Sequence, residues 1–147
     1  MSQGSRAVVL LVEDDPDHAE LVTRALAEDS DRVHLVHFAN GDSALQYLER
    51  DGAWADPDTS PRPDLILLDL RLPGIGGGEV LGRIRAVPSL CEIPVVILST
   101  SRTREDLAVA AGGRADACAV KPMDGEGFRE LVRELVWSWT SVGSTQA

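Results

Sequence analysis

The sequence predicts an α/β domain built on a doubly wound sheet of five parallel strands with helices on both faces. Three observations carry that expectation. Five short apolar runs recur along the chain, at residues 7–12, 33–38, 65–68, 95–98 and 117–120. Apolar residues between the runs fall at helical spacing. Most of the runs are continuously apolar rather than alternating, as in strands covered on both faces.

The elements follow in order. AVVLLV, residues 7–12, reads as the first buried strand. Asp15-Pro16 then pairs an N-cap with a proline at the first helical position, and Ala19, Val22, Ala25 and Leu26 supply one apolar face. VHLVHF is a second strand, and a second helix over 43–50 carries Ala44, Leu45 and Leu48. Residues 51–63, polar and with three prolines, read as a long loop. Trp54 within it covers either an apolar patch of its own domain or a partner surface. The third strand ends at Asp69, and a short helix over 78–85 carries Val80, Leu81 and Ile84. The fourth strand ends at Ser99, and Thr103 with Asp106 resembles a capping box opening a fourth helix. The fifth strand ends at Lys121, and Phe128, Leu131, Val132, Leu135, Val136 and Trp139 mark the last helix. Five β-α units with right-handed crossovers favour the flavodoxin-like strand order 2-1-3-4-5. Residues 1–6 are expected to be a disordered lead-in, 7–140 the domain, and 141–147 a tail and candidate dimer arm.

Composition bounds the function. A chain of 147 residues with 44% hydrophobic content supports one domain with a sizeable core. No apolar run approaches bilayer length, and the polar N-terminus does not read as a signal peptide. A cytoplasmic protein is expected, with Cys91 and Cys118 as reduced thiols. The formal net charge of -10 disfavours nucleic acid and anionic membranes as partners.

The strand ends concentrate the chemistry. The first delivers Glu13, Asp14 and Asp15, the third Asp69, the fourth Ser99 and Thr100, and the fifth Lys121 and Pro122. In this topology ligands sit at the carboxyl ends of the strands, where the order reverses. Crowded carboxylates repel one another unless a cation lies among them, and oxygen donors suit Mg²⁺. Asp14 and Asp69 are the expected direct ligands, Glu13 a ligand through water, and the Arg71 backbone carbonyl a further oxygen. An aspartate can also be a nucleophile that forms an aspartyl phosphate. Lys121, Ser99 and the cation would then balance charge on the phosphoryl oxygens. Lys121 is the only lysine, against thirteen arginines; a compact point charge and a planar fork are not interchangeable there. Pro122 is a candidate for a cis peptide that aims the lysine. Each residue alone has a plainer reading, as cap, turn or surface charge; Asp15 is read as a cap and Asp17 as first-turn dipole matching. Their joint occurrence at the ends of different strands favours the site. His18, His34 and His37 form no ligand set and read as ordinary surface and edge residues.

The motifs Leu11-Val12-Glu13-Asp14-Asp15, Asp64-Leu65-Ile66-Leu67-Leu68-Asp69-Leu70-Arg71-Leu72-Pro73-Gly74, Pro94-Val95-Val96-Ile97-Leu98-Ser99 and Lys121-Pro122 together resemble the response-regulator receiver family. The resemblance spans roughly residues 7–136. It implies Mg²⁺-dependent phosphorylation of Asp69 by a partner histidine kinase and slow self-dephosphorylation. It also implies a switch in which Ser99 pulls toward the phosphoryl group and shifts the fourth helix. The proline-rich loop, the Leu-Pro-Gly turn, the Ser99-Thr100-Ser101 run and the Trp-bearing tail are similar to single-domain regulators that partner bacterial phytochromes. Those are often dimers through the last strand, last helix and a C-terminal arm. Trp137, off the apolar face beside Trp139, is accordingly either an interface anchor or a ring lying on its own domain.

Three departures stand out. Cys118 occupies a switch position where the family usually has Tyr or Phe. Gly76-Gly77-Gly78 should loosen the turn after Asp69. Arg71 is placed to steer or shield attacking water. Competing functions are a Mg²⁺-dependent aspartyl-phosphate phosphatase, a degenerate receiver acting as an adaptor, and a DNA-binding regulator. The first lacks an acid two residues after Asp69, the second is at odds with the full residue set, and the third with the charge and the short tail. The expectation is a switch that is not itself a multiple-turnover enzyme.

Overall fold

A computed structural model describes residues 6–56, 58–100, 103, 109 and 112–140. In chain order these form β1 (Ala7–Val12), α1 (Pro16–Ala27), β2 (Val33–Phe38), α2 (Gly41–Leu48), a 3-10 turn (Gly52–Trp54), β3 (Leu65–Asp69), α3 (Gly77–Ala86), β4 (Val95–Ser99), β5 (Ala117–Val120) and α4 (Gly125–Trp139). The strands make one parallel sheet in the flavodoxin-like order β2-β1-β3-β4-β5. Most of the helix expected from Thr103, and the tail 141–147, lie outside the described residues. Of the segment expected to be disordered, residues 1–5 lie outside too, whereas the Arg6 guanidinium donates to the Ser30 carbonyl at 3.2 Å.

Alternation along the strands divides the core in two. Leu10, Val12, Ile66, Leu68, Val95 and Ile97 face α2 and α3, meeting Leu45, Val80, Leu81 and Ile84. Val9, Leu11, Leu65, Leu67, Val96 and Leu98 face the other way and meet Val22 and Leu26 of α1 and Phe128, Val132 and Val136 of α4. Both faces of β1, β3 and β4 are therefore covered, which explains their unbroken apolar sequences. β5, at the sheet edge, is only half-buried.

Caps set the helix starts. The Asp15 carboxylate accepts from Asp17 N–H at 2.9 Å with Pro16 opening α1, and Asp124 accepts from Gly127 N–H at 2.8 Å ahead of α4. Asn40 accepts from Ser43 N–H at 2.8 Å, so α2 begins at Gly41, two residues before its expected start. It also ends earlier, because Arg50 takes a left-handed φ of 55°. The long loop is pinned from inside. Tyr47 Oη donates to the Pro61 carbonyl at 2.6 Å, and Phe38, Tyr47 and Trp54 pack ring to ring with centroids 5.3–5.4 Å apart. Trp54 thus covers its own domain.

Gly77 corrects the loosening expected of the glycine run. A Cβ there would lie 2.4 Å from the Asp69 carbonyl oxygen and 2.8 Å from Leu70 Cα, and Gly77 N–H donates to the Leu70 carbonyl at 2.9 Å. The residue lets α3 start hard against the end of β3. At the far end of the chain, Trp137 and Trp139 both pack against the α1/α4 core, and the Arg32 guanidinium lies 6.0 Å from the Trp137 ring centroid. Trp137 is half-buried there, so part of its ring stays at the surface.

Candidate functional site

Parallel register converts the strand ends into a site. Val12 is level with Leu68, Asp69 with Leu98 and Ser99 with Val120, so Glu13, Asp69, Ser99 and Lys121 emerge along one edge of the sheet. The buried polar or charged residues among those described are Glu13, Ser60, Asp69, Ser99 and Lys121. Four of these five stand at this edge. Burying charge costs free energy unless it is paired, so their concentration here needs a reason beyond folding. Ser60 lies instead beside a cavity of about 50 Å³ near Tyr47, Arg50 and Arg62, away from the carboxylates.

Lys121 Nζ donates to Glu13 Oε1 at 2.7 Å and stands 3.7 Å from Asp69 Oδ2. The main chain anchors the lysine, with Lys121 N–H donating to the Ser99 carbonyl at 2.7 Å. Glu13 Oε2 accepts from Asp15 N–H at 3.1 Å, and His37 Nε2 donates to the Glu13 carbonyl at 2.8 Å. Asp69 Oδ1 accepts from Arg71 N–H at 3.3 Å. The cis peptide considered for Pro122 is not found: the described chain has no cis bond. The ladder bond to Ser99 and the ion pair to Glu13 aim Lys121 with the ordinarily favoured trans isomer.

Glu13, Asp14 and Asp69 each offer a carboxylate oxygen within 4.8 Å of the others, with Glu13 and Asp69 buried and Asp14 exposed. An all-oxygen set with one solvent-facing member fits a hard divalent cation that keeps some of its water. Electrostatics agree. Burial, and next the Glu13 carboxylate, push the Asp69 carboxyl up to about 7, against the opposing pull of Lys121 and the Arg71 amide. Without further positive charge nearby, Asp69 holds its proton more readily than an ordinary aspartate. The Asp17 amide holds the Asp15 carboxyl below its usual range at the rim.

These groups border a cleft of about 210 Å³ lined by Glu13, Asp14, Asp15, His18, Asp69, Arg71, Thr100 and Lys121. Arg71 and Thr100 are exposed in its wall, and Ser99 is buried beneath. Cys118 instead packs against the core on the α2/α3 side. The structure adds His18, for which the sequence suggests only a surface role. Its Nδ1 lies 3.1 Å from Lys121 Nζ, 3.7 Å from Asp15 Oδ2 and 3.8 Å from Glu13 Oε2. A sequence signal existed: His18 sits in the first turn of α1, where side chains lean back toward the helix start and so over the end of β1.

Comparison with known proteins agrees with this geometry. Residues 9–133 match the family model of the response regulator receiver domain. The chain is 35% identical over 133 residues to the probable methanogenesis regulatory protein FilR2 of Methanothrix harundinacea, covering 90% of this chain and 83% of that one. It is 41% identical over 100 residues to response regulator Rcp1 of Synechocystis sp., covering 68% and 66% of the two chains. The crystal structure of Mn²⁺-bound Rcp1 superimposes with a TM-score of 0.83 at 32% identity, covering 96% of this chain and 99% of that one. That of the phosphorylated cyanobacterial phytochrome response regulator RcpA gives 0.88 at 32% identity, covering 97% and 98%. No helix among the described residues is long and apolar enough to cross a membrane.

Proposed function

The chain belongs to the response regulator receiver domain family, and on that premise we propose that it is a cytoplasmic switch that accepts a phosphoryl group on Asp69 from a histidine kinase, with Mg²⁺ as cofactor. The observation that carries the reading is the meeting of three carboxylates within 4.8 Å of one another beside an ammonium 3.7 Å from Asp69.

An Asp69 carboxylate oxygen attacks phosphorus, a new P–O bond forms, the P–N bond to the donor imidazole breaks, and the leaving ring takes up a proton. Glu13, Asp14, Asp69 and the Arg71 backbone carbonyl would hold the cation, with Glu13 acting through water. When bound, Mg²⁺ supplies the positive charge that keeps Asp69 ionised and offsets charge on the phosphoryl oxygens. Lys121 contributes a point charge to one of those oxygens and the Ser99 hydroxyl donates to another. Water attack on the aspartyl phosphate returns Asp69 and inorganic phosphate, with Arg71 at the cleft wall placed to limit access. The output passes to another protein. Ser99 and Thr100 shift toward the modified Asp69, and the surface beside β5 and α4 changes with them.

Similarity to the cyanobacterial phytochrome response regulator RcpA and to the bacteriophytochrome response regulator RtBRR supports a bacteriophytochrome as the kinase. A homodimer through β5, α4 and the tail, with Trp137 and Trp139 near the contact, completes the proposal. Cys118, half-buried on the edge strand β5, takes the place of an aromatic switch residue in this scheme. Incubation with acetyl phosphate and Mg²⁺ followed by intact-mass measurement tests the reading. One phosphoryl group should appear on the wild type and none on Asp69→Asn or in EDTA. Equal incorporation by Asp69→Asn, or sustained turnover of small phosphomonoesters, would overturn it.

A further inference from the structure

His18 has no part in the chemistry above, yet its ring borders the cleft and touches the one lysine. The contact has a direction. An ammonium carries only donors, so the His18 Nδ1 atom 3.1 Å from Lys121 Nζ must accept. The ammonium then has two hydrogen-bond acceptors, Glu13 Oε1 at 2.7 Å and His18 Nδ1 at 3.1 Å, and stands 3.7 Å from Asp69 Oδ2 as an ion pair.

The ring is braced from behind. It stands edge-on to Phe128, with centroids 5.7 Å apart and an interplanar angle of 71°, and Phe128 is buried at the start of α4. α1 and α4 thus set the acceptor jointly. Glu13 has two claims on it, from Lys121 and from the carboxylate cluster. A cation held by that cluster would draw on the Glu13 carboxylate that the lysine also uses, whereas the His18 Nδ1 contact involves no carboxylate of the cluster. We propose that His18 is a positioning residue whose Nδ1 holds the Lys121 ammonium beside Asp69, and that it thereby sets how fast Asp69 takes up a phosphoryl group. This rests on the phosphoryl-acceptor reading.

Two substitutions separate the two roles of the imidazole. His18→Phe keeps a ring against Phe128 and removes the acceptor. His18→Asn puts an amide oxygen where Nδ1 stood and removes the ring. Because Lys121 is the only lysine, lysine labelled with ¹⁵N gives one ammonium resonance, readable in the metal-free, unphosphorylated protein. His18→Phe should shift or broaden that resonance and slow phosphorylation by acetyl phosphate about tenfold, the scale of one hydrogen bond from a charged group. The effect should fall on the maximal rate, with the half-saturating donor concentration little changed. His18→Asn should keep both properties within about twofold of the wild type. An unchanged resonance and rate in His18→Phe would overturn the proposal. So would a His18→Asn protein as slow as His18→Phe, since packing alone would then explain the loss. If the wild type takes up no phosphoryl group, the phosphoryl-acceptor reading and the rate role that depends on it fall together, and the ammonium resonance alone still decides whether His18 holds Lys121.

Discussion

Asp69→Asn should stabilise the metal-free protein, and by an amount that depends on pH. Asp69 is 8% exposed, and its carboxyl is raised from 3.8 to about 7, first by burial and then by Glu13. A folded-state pKa above the unfolded value means that the native state binds the proton more tightly. The associated stability is fully present below about pH 4 and is lost as pH rises toward 7. At about 1.36 kcal/mol per pH unit, the loss amounts to roughly 4 kcal/mol, an upper bound once Lys121 and water relax around the charge. Asn has no charge to bury. Urea unfolding in EDTA should therefore show the variant about 2–4 kcal/mol more stable at pH 8 and within about 1 kcal/mol of the wild type at pH 4.5. Mg²⁺ should close much of the gap at pH 8 by stabilising the wild type. A gap of the same size at both pH values, or a variant less stable than wild type at pH 8, would refute the electrostatic reasoning.

Other changes probe different parts of the structure. Lys121→Met leaves the Glu13 carboxylate, 1% exposed, without its counter-charge and should cost about 3–5 kcal/mol at pH 8 in urea unfolding; a loss below about 1 kcal/mol would show that Glu13 does not need the lysine. Gly77→Ala drives a methyl into the Asp69 carbonyl and should cost about 1–3 kcal/mol. Gly82→Ala, with nothing within 4 Å of the new Cβ inside α3, should gain about 0.5–1 kcal/mol in the same assay. Trp137→Ala, measured by sedimentation, should weaken self-association if the α4 end forms the dimer contact; an unchanged mass would remove Trp137 as an anchor.

Legibility in the sequence followed the range of the interactions. β1, β2 and β5 keep the bounds that their apolar runs suggest, because local burial on the sheet decides them. β3 and β4 end at Asp69 and Ser99 as expected, one residue past their apolar runs, since these two residues continue the ladder opposite Leu98 and Val120. The early start of α2 was readable from Asn40, whose cap the apolar pattern alone conceals. The convergence of Glu13, Asp14, Asp69 and Lys121 followed from topology, because parallel strands in this order bring their carboxyl ends together. For His18 the sequence offers only its place in the first turn of α1, leaning over the end of β1. Its importance comes from Lys121, 103 residues away, and from Phe128 behind it. The resting place of Lys121 was likewise hidden: Glu13, expected to serve the cation, is the closer partner in the structure, and Asp69 lies an ångström farther off. Gly77 looked like slack and is a close-packing position, a distinction made by the Asp69 carbonyl across the turn.

Chemical mapping of the acyl phosphate reaches the central claim most directly. The protein is treated with acetyl phosphate and Mg²⁺, reduced with borohydride to convert any phosphorylated aspartate to homoserine, and read by peptide sequencing. Homoserine at position 69 alone is the expected result. Homoserine at position 14, or at no position while phosphate is retained elsewhere, would contradict it.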